Sequence, residues 1–405
     1  MPAALLEYTK QTTSTSGPLF SAAMSAVASS ADKFAEKGIA RVFTSAAKLQ
    51  HRDAAFLHSL SIAGLAKAES FEPLSVVATL SALVKLEHSA PAFVAALCTS
   101  ATRRAQSFEP HSIAVALNCL AKLGHSDPKA IRALLPVVSA KSKLFTVQGI
   151  SLVLNALSRF KHYDEDACTE LCKAAKDKIG EYDSQSTSMT LNALSKFDHR
   201  DEELTRALLK HHLESKTEAA NAFSPQELAQ TLVALKVLGH YNEDFVSAMV
   251  VVATKRAKEF SPQGISSVLS SLSFFRHKDD ACLKAFCDVA LRSIQNFNAH
   301  DISFTIGALC DLDHRDEALL KALCTAGTKN ADGFNALATA RTLEALARYE
   351  WYDKRFVERL CDAARRRSTE FKDSEIEVVR GSLEVLKHHD ARLEGLLGQI
   401  NNSKK

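Results

Sequence analysis

A histidine, one intervening residue and an aspartate recur along this chain: His51 and Asp53, His125 and Asp127, His162 and Asp164, His199 and Asp201, His277 and Asp279, His314 and Asp316, His388 and Asp390. Variants of the same string stand at His88 with Ala90, His240 with Asn242, and Trp351 with Asp353. An imidazole beside a carboxylate can relay a proton or ligate a metal ion. An active site is normally unique, however, whereas this string returns every 37 residues, with one interval of 41 between His199 and His240. The recurrence points to structure: the histidine ends one helix, and the Asp or Asn caps the next by accepting from its free amides. Acidic residues after the cap, as in Asp164-Glu165-Asp166, complement the helix dipole.

The elements follow from the spacing. Seventeen residues before each marker stands an aromatic: Phe34, Phe71, Phe108, Phe145, Tyr182, Phe223, Phe260, Phe297, Phe334 and Phe371. A period of this length is the signature of a solenoid. Counting from the aromatic as position 0, positions 5, 9, 12 and 15 are nearly always large and apolar, as in Leu228, Leu232, Leu235 and Leu238. That is the stripe of an amphipathic helix, helix A, with Ser224 and Ser261 as N-caps and Pro225 and Pro262 at the first helical position. Helix B begins at the Asp and is expected to run to the next aromatic. The fold class is therefore all-α: an α-solenoid, a right-handed superhelix of about ten 37-residue helix-turn-helix repeats. Residues 1–16 read as an N-terminal extension with a weak targeting signal, 17–390 as the repeat array opening on a partial unit, and 391–405 as a capping helix and tail. The four extra residues near HHLESKTEAANAF fall between repeats.

A helical rotation of about 100° per residue puts positions 3, 7, 10 and 14 of helix A opposite the core stripe. Position 3 holds His111, Gln148, Gln185, Gln226, Gln263 and His300. Position 10 holds Ser81, Asn118, Asn155, Asn192, Val233 and Ser270, and position 14 holds Lys48, Lys85, Lys122, Arg159 and Lys196, then Val237, Phe274 and Asp311 before Arg348. Amides can meet base edges and cations can track phosphates, so these columns suit RNA, single-stranded or structured. A solvated helix face would also hold Gln, Asn and Lys. A second basic seam late in helix B, including Lys67, Arg103, Arg104, Lys141, Lys178, Lys255, Arg256, Arg292, Lys329 and Arg365 to Arg367, fits either phosphate contact or complementing of the helix dipole. Small residues at positions 6 and 13 let neighbouring A helices approach closely.

Composition excludes several classes. The balance of 50 basic and 47 acidic side chains leaves +3, so any polyanion must be held by a local stripe. The nine cysteines show neither a disulfide framework nor zinc-ribbon spacing and read as reduced, buried thiols. No apolar run reaches about 18 residues, so no membrane partner is expected. Glycine-rich phosphate loops, a nucleophile elbow and a singular acid pair are all missing from the sequence; no enzyme activity and no cofactor are expected.

The stretch FSPQELAQTLVALKVLGH resembles the core of an octotricopeptide repeat, and the 37-residue spacing is closer to the related heptatricopeptide repeats of organellar RAP-domain proteins. The resemblance runs from about Phe20 to the C-terminus. It implies an RNA-binding solenoid of mitochondria, with plastids as the alternative, acting in transcript processing, stability, translation or ribosome assembly. Ribosomal RNA is one implied target, and ribosomal or other organellar proteins are implied partners. Two departures bear on function. Position 10 carries Asn, Ser or Gly where octotricopeptide repeats often carry Trp, so a base-by-base reading rule does not transfer. No RAP domain follows the repeats, which leaves binding without catalysis. The rival class is a protein-binding scaffold, favoured by the near-neutral net charge.

Overall fold

The computed structural model describes residues 18–214 and 222–396. Every regular element among them is helical, and the chain divides into two compact units, Met1–Ala207 and Leu208–Lys405. In the first unit the A helices are Glu36–Lys48, Pro73–Leu86, Pro110–Lys122, Val147–Phe160 and Ser184–Phe197. They alternate with the B helices Ala54–Ala66, Pro91–Arg103, Pro128–Ala140 and Glu165–Lys176, and Pro18–Ser29 packs on Ala54–Ala66 as the B helix of a partial repeat. The second unit has A helices Pro225–Leu238, Pro262–Phe275, Ala299–Asp311, Ala336–Arg348 and Asp373–Val385, and B helices Glu243–Lys255, Asp280–Arg292, Glu317–Lys329 and Lys354–Arg366. The division falls inside the B helix Glu202–Glu214. Within each unit A packs on A and B on B, the two-layer stack of an α-solenoid. The extension over residues 1–16, residues 215–221 of the insertion and the tail from residue 397 lie outside the described residues, while residues 391–396 are helical in the B register.

Both expected boundary devices are present at the A–B corner. Each A helix ends on a residue with φ between +49° and +69°: Gln50, Glu87, Gly124, Lys161, Asp198, Gly239, Arg276, Asp313, Glu350 and Lys387. The N–H of the following residue, His or Trp351, then returns to the carbonyl five residues back, as from His51 to Ala46 at 2.9 Å and from Trp351 to Leu346 at 2.9 Å, closing a Schellman turn. Two residues later Asp53 accepts from the Phe56 amide at 2.7 Å and Asn242 from the Phe245 amide at 2.8 Å. At the other end of helix A, Ser224 and Glu227 form a reciprocal capping box.

Helix B does not reach the next aromatic. It stops at about position 32, and a 3-10 turn such as Ala68–Ser70 or Ala105–Ser107 fills the interval. In four repeats the residue between them, at position 33, reaches back to the carbonyl of its own repeat's aromatic. Lys67 donates to Phe34 O, Lys141 to Phe108 O at 3.0 Å, Arg256 to Phe223 O at 2.7 Å, and Asn330 to Phe297 O at 2.9 Å. In one repeat Ser100 makes this bond to Phe71 O at 2.8 Å and Arg104 supports the serine at 3.1 Å. The tighter turn lets the chain reverse, and in these repeats the staple ties the end of the repeat to its beginning.

The core is built as the periodicity requires: Leu228, Leu232 and Leu235 are fully buried and Leu238 is 7% exposed. The aromatic ladder packs edge to face with B-helix rings, as in Phe71 on Phe93 at 5.7 Å and Phe334 on Phe356 at 5.8 Å. Those larger rings are accommodated by glycine in the preceding B helix. A Cβ on Gly64 would lie 2.4 Å from Phe93, and one on Gly327 2.4 Å from Phe356. Where the opposing residue is small, as at Ala130 or Cys282, the glycine position holds Ala101 or Ala253. Gly327→Ala is therefore expected to destabilise by about 1–3 kcal/mol through overpacking. Adding Phe356→Leu should recover part of that loss, so denaturant unfolding of the two single variants and the double variant should give a coupled, non-additive cycle. Additive losses would show that the glycine is not there for the ring.

Candidate functional site

The five position-14 cations Lys48, Lys85, Lys122, Arg159 and Lys196 are all exposed, on consecutive A helices of the first unit. None has a carboxylate partner among the described residues. On the same helices Gln148 and Gln185 are exposed, whereas Asn118, Asn155 and Asn192 are half-buried. The asparagine column forms the floor of a strip whose edges are the glutamines and the cations. Position 10 lies nearer the seam between neighbouring A helices, which helical periodicity within one helix does not register. The seam itself is close: Ser151 of one A helix bonds to Ser186 O of the next at 3.2 Å, and Ser81 Oγ stands 3.5 Å from Cys119 Sγ. Burial raises the pKa of that thiol, partly opposed by the Ser81 hydroxyl and by the charges of Lys122 and Lys85.

Two of the twelve candidates, Gln226 and Gln263, belong to the second unit, where they are exposed at position 3 but have no cation column beside them. Position 14 there becomes Val237, 46% exposed, and Phe274, 58% exposed. Asp311 follows and is taken by Arg348 at 2.6 Å and Arg341 at 3.4 Å. Arg341 also lies 4.9 Å above the Phe304 ring, against Gly307, whose missing Cβ would stand 2.3 Å from the guanidinium. The spacing carried a signal that reading each column alone does not show: Arg341 and Arg348 are 30 and 37 residues beyond Asp311. In the sixth repeat the cation is displaced by one position, to Lys236, and it turns into the seam to donate to Ser270 Oγ at 3.0 Å. Its pKa is lowered, first by burial and then by the charge of Arg341.

The recurring histidines behave as corner residues. Tyr163, Tyr241 and Tyr352 hydrogen-bond to Nδ1 of His199, His277 and His388 at 3.0, 3.1 and 3.0 Å, joining successive corners. Two corners bring a cysteine close as well: donor atoms of Cys98, His125 and Asp127, and of Cys361, His388 and Asp390, lie within 4.8 Å of one another. Each set has only three donors, and burial pushes both thiols up to about 12. Asp127 already caps a helix, and Asp390 also takes Arg365. Cysteine recurs at this position in Cys172, Cys287 and Cys324, the last beside Trp351 where a histidine would be, so the arrangement is one of packing. All nine cysteines are free and buried.

The family model for RNA-editing substrate-binding complex 8 protein matches residues 68–379. The chain belongs to this family. The matched region takes in parts of both units. The family description specifies neither an octotricopeptide nor a heptatricopeptide type, and what the chain has in common with those repeats is the helical-repeat architecture. Among solved structures, a chain of a homology model of the full-length AP-3 complex in an intermediate open conformation aligns over 99% of this chain and 83% of its own, at 8% identity and a TM-score of 0.28, too low to bear on function. The comparison with curated proteins finds no match. Among the described residues no helix is long and apolar enough to cross a membrane.

Lys236 gives this face a titratable test. A lysine whose folded pKa lies below its unfolded value, about 10.4, binds fewer protons folded than unfolded between the two values, so stability rises with pH across that window. Below the depressed value the cost is fully present. Lys236→Met is accordingly expected to raise the unfolding midpoint at neutral pH, with the gain over the parent shrinking as pH approaches about 10.4. Equal midpoints throughout would mean that burial of the ammonium carries no cost.

Proposed function

We propose that this protein is a non-catalytic RNA-binding subunit of an RNA-editing substrate-binding complex, acting in mitochondria, and that single-stranded RNA lies along the A face of its first unit. The observation that carries this reading is the run of five exposed cations at position 14 on consecutive A helices, with no carboxylate partner among the described residues. Packed helices stand about 8–10 Å apart, so the run is a linear array of charge suited to an extended phosphate backbone. The half-buried Asn118, Asn155 and Asn192 beside it offer donors and acceptors to splayed base edges. The family description supports an editing substrate over ribosomal RNA as the target, and mitochondrial location rests on the resemblance to organellar repeat proteins. A protein partner has its own supporting observation in the exposed Val237 and Phe274 of the second unit, where the cation run lapses.

The quadruple variant Lys85→Gln, Lys122→Gln, Arg159→Gln and Lys196→Gln removes no buried contact, so helicity should be unchanged. Each lost phosphate contact flattens the dependence of log affinity on log salt by about 0.7 for a single strand, so the variant should lose about 3 from its slope and bind weakly at every salt concentration. Unaltered affinity and slope in a fluorescence-anisotropy titration would reject the A face and favour the scaffold reading.

A further inference from the structure

We propose that the second unit binds the phosphate backbone of RNA on its other layer, through Lys255, Arg292, Lys329 and Arg366. The proposal rests on the RNA-binding reading and adds a second strip. Each of these residues is the last of its helix, in Glu243–Lys255, Asp280–Arg292, Glu317–Lys329 and Lys354–Arg366, and all four are exposed. The helices pack in succession, so the four cations stand in a row at position 32 of consecutive repeats. Lys255, Arg292 and Lys329 have no carboxylate partner among the described residues, while Arg366 shares Asp332 with Arg359, at 2.6 and 3.4 Å.

The structure separates this row from the rest of the helix-B seam. One residue further on, at position 33, Arg256 and Asn330 are committed to the staples on Phe223 O and Phe297 O, and Ser293 bonds back to Val289 O at 2.8 Å. Lys255, Arg292 and Lys329 therefore project with no carboxylate partner among the described residues, and Arg366 extends the row as a paired cation. The helix dipole favours a cation at any helix C-terminus by about 0.3–1 kcal/mol. It acts equally on the first unit, but there the cation stands one residue later, at half-buried Lys67, Arg104, Lys141 and Lys178, while position 32 is Ala66, Arg103, Ala140 and Asp177, with Arg103 paired to Glu69 at 3.0 Å. The dipole can thus be met from half-buried position 33 and does not by itself require an exposed row at position 32. The two units differ in this respect: the first carries its row of exposed cations on the A layer at position 14, the second on the B layer at position 32. Because cations on phosphates carry no sequence information, the second strip is expected to hold RNA without selecting its bases.

The test compares three full-length proteins with the parent on polyuridylate across a salt titration. Lys255→Gln, Arg292→Gln and Lys329→Gln together should reduce the salt slope by about 2, at about 0.7 per contact, independently of the loss caused by the quadruple A-face variant. Arg103→Gln, the paired counterpart in the first unit, should leave the slope unchanged. A triple variant with the parent's slope, beside an A-face variant that has lost its own, overturns the second strip and leaves the proposed function standing. The reverse pattern supports the strip and rejects the A face. A fall in melting temperature with no change in slope assigns the row to helix capping and overturns the proposal as well.

Discussion

Each A helix must stop and turn within four or five residues, and it does so by placing one residue in the left-handed region. Only Gly124 and Gly239 are glycine; the other eight, from Gln50 to Lys387, bear side chains there. That conformation costs roughly 1–2 kcal/mol for an L-residue. The cost is offset locally. The following N–H closes onto the A helix, and the aspartate or asparagine two residues on contributes typically about 1 kcal/mol as the cap of helix B. The same backbone closure is built ten times, and the side-chain cap is missing only at Ala90. The register of both layers, and with it every column of side chains, depends on that repetition.

Given the register, the two layers can do different work. The A layer is drawn together by small residues and by side chains that reach a neighbour's carbonyl, as Ser303 does to Ala338 O at 3.0 Å. Close approach merges positions 3, 10 and 14 of separate helices into one strip. The B layer is instead closed on itself by the staple at position 33, and its rings are fitted against glycines at Gly64 and Gly327. One scaffold thus presents two kinds of surface, and the chemistry of each is set by residues that the fold leaves free. In the first unit the position-14 cations have no carboxylate partner among the described residues; in the second, Asp311 holds two arginines and neutralises the corresponding stretch. Whether a charge is available to a ligand is decided by its neighbours in adjacent repeats, not by its own helix.

The period, the helices, their caps and the core positions were legible in the sequence, because each depends on residues a few places apart. His199 and Asp201 mark a corner through local backbone bonds, and Leu228, Leu232 and Leu235 mark a buried face through helical spacing alone. Recurrence also separated corner from active site, since Trp351 can stand where a histidine does. Tertiary structure decided what happens between repeats, across 30 to 37 residues of chain. It ended helix B early at the staple, half-buried Asn118, Asn155 and Asn192 in the A-layer seam, turned Lys236 inward onto Ser270, and fitted Gly327 to Phe356. Those outcomes depend on how far a side chain reaches across a helix interface and on which partner it meets there, and a column of residue types read down one helix face contains neither quantity.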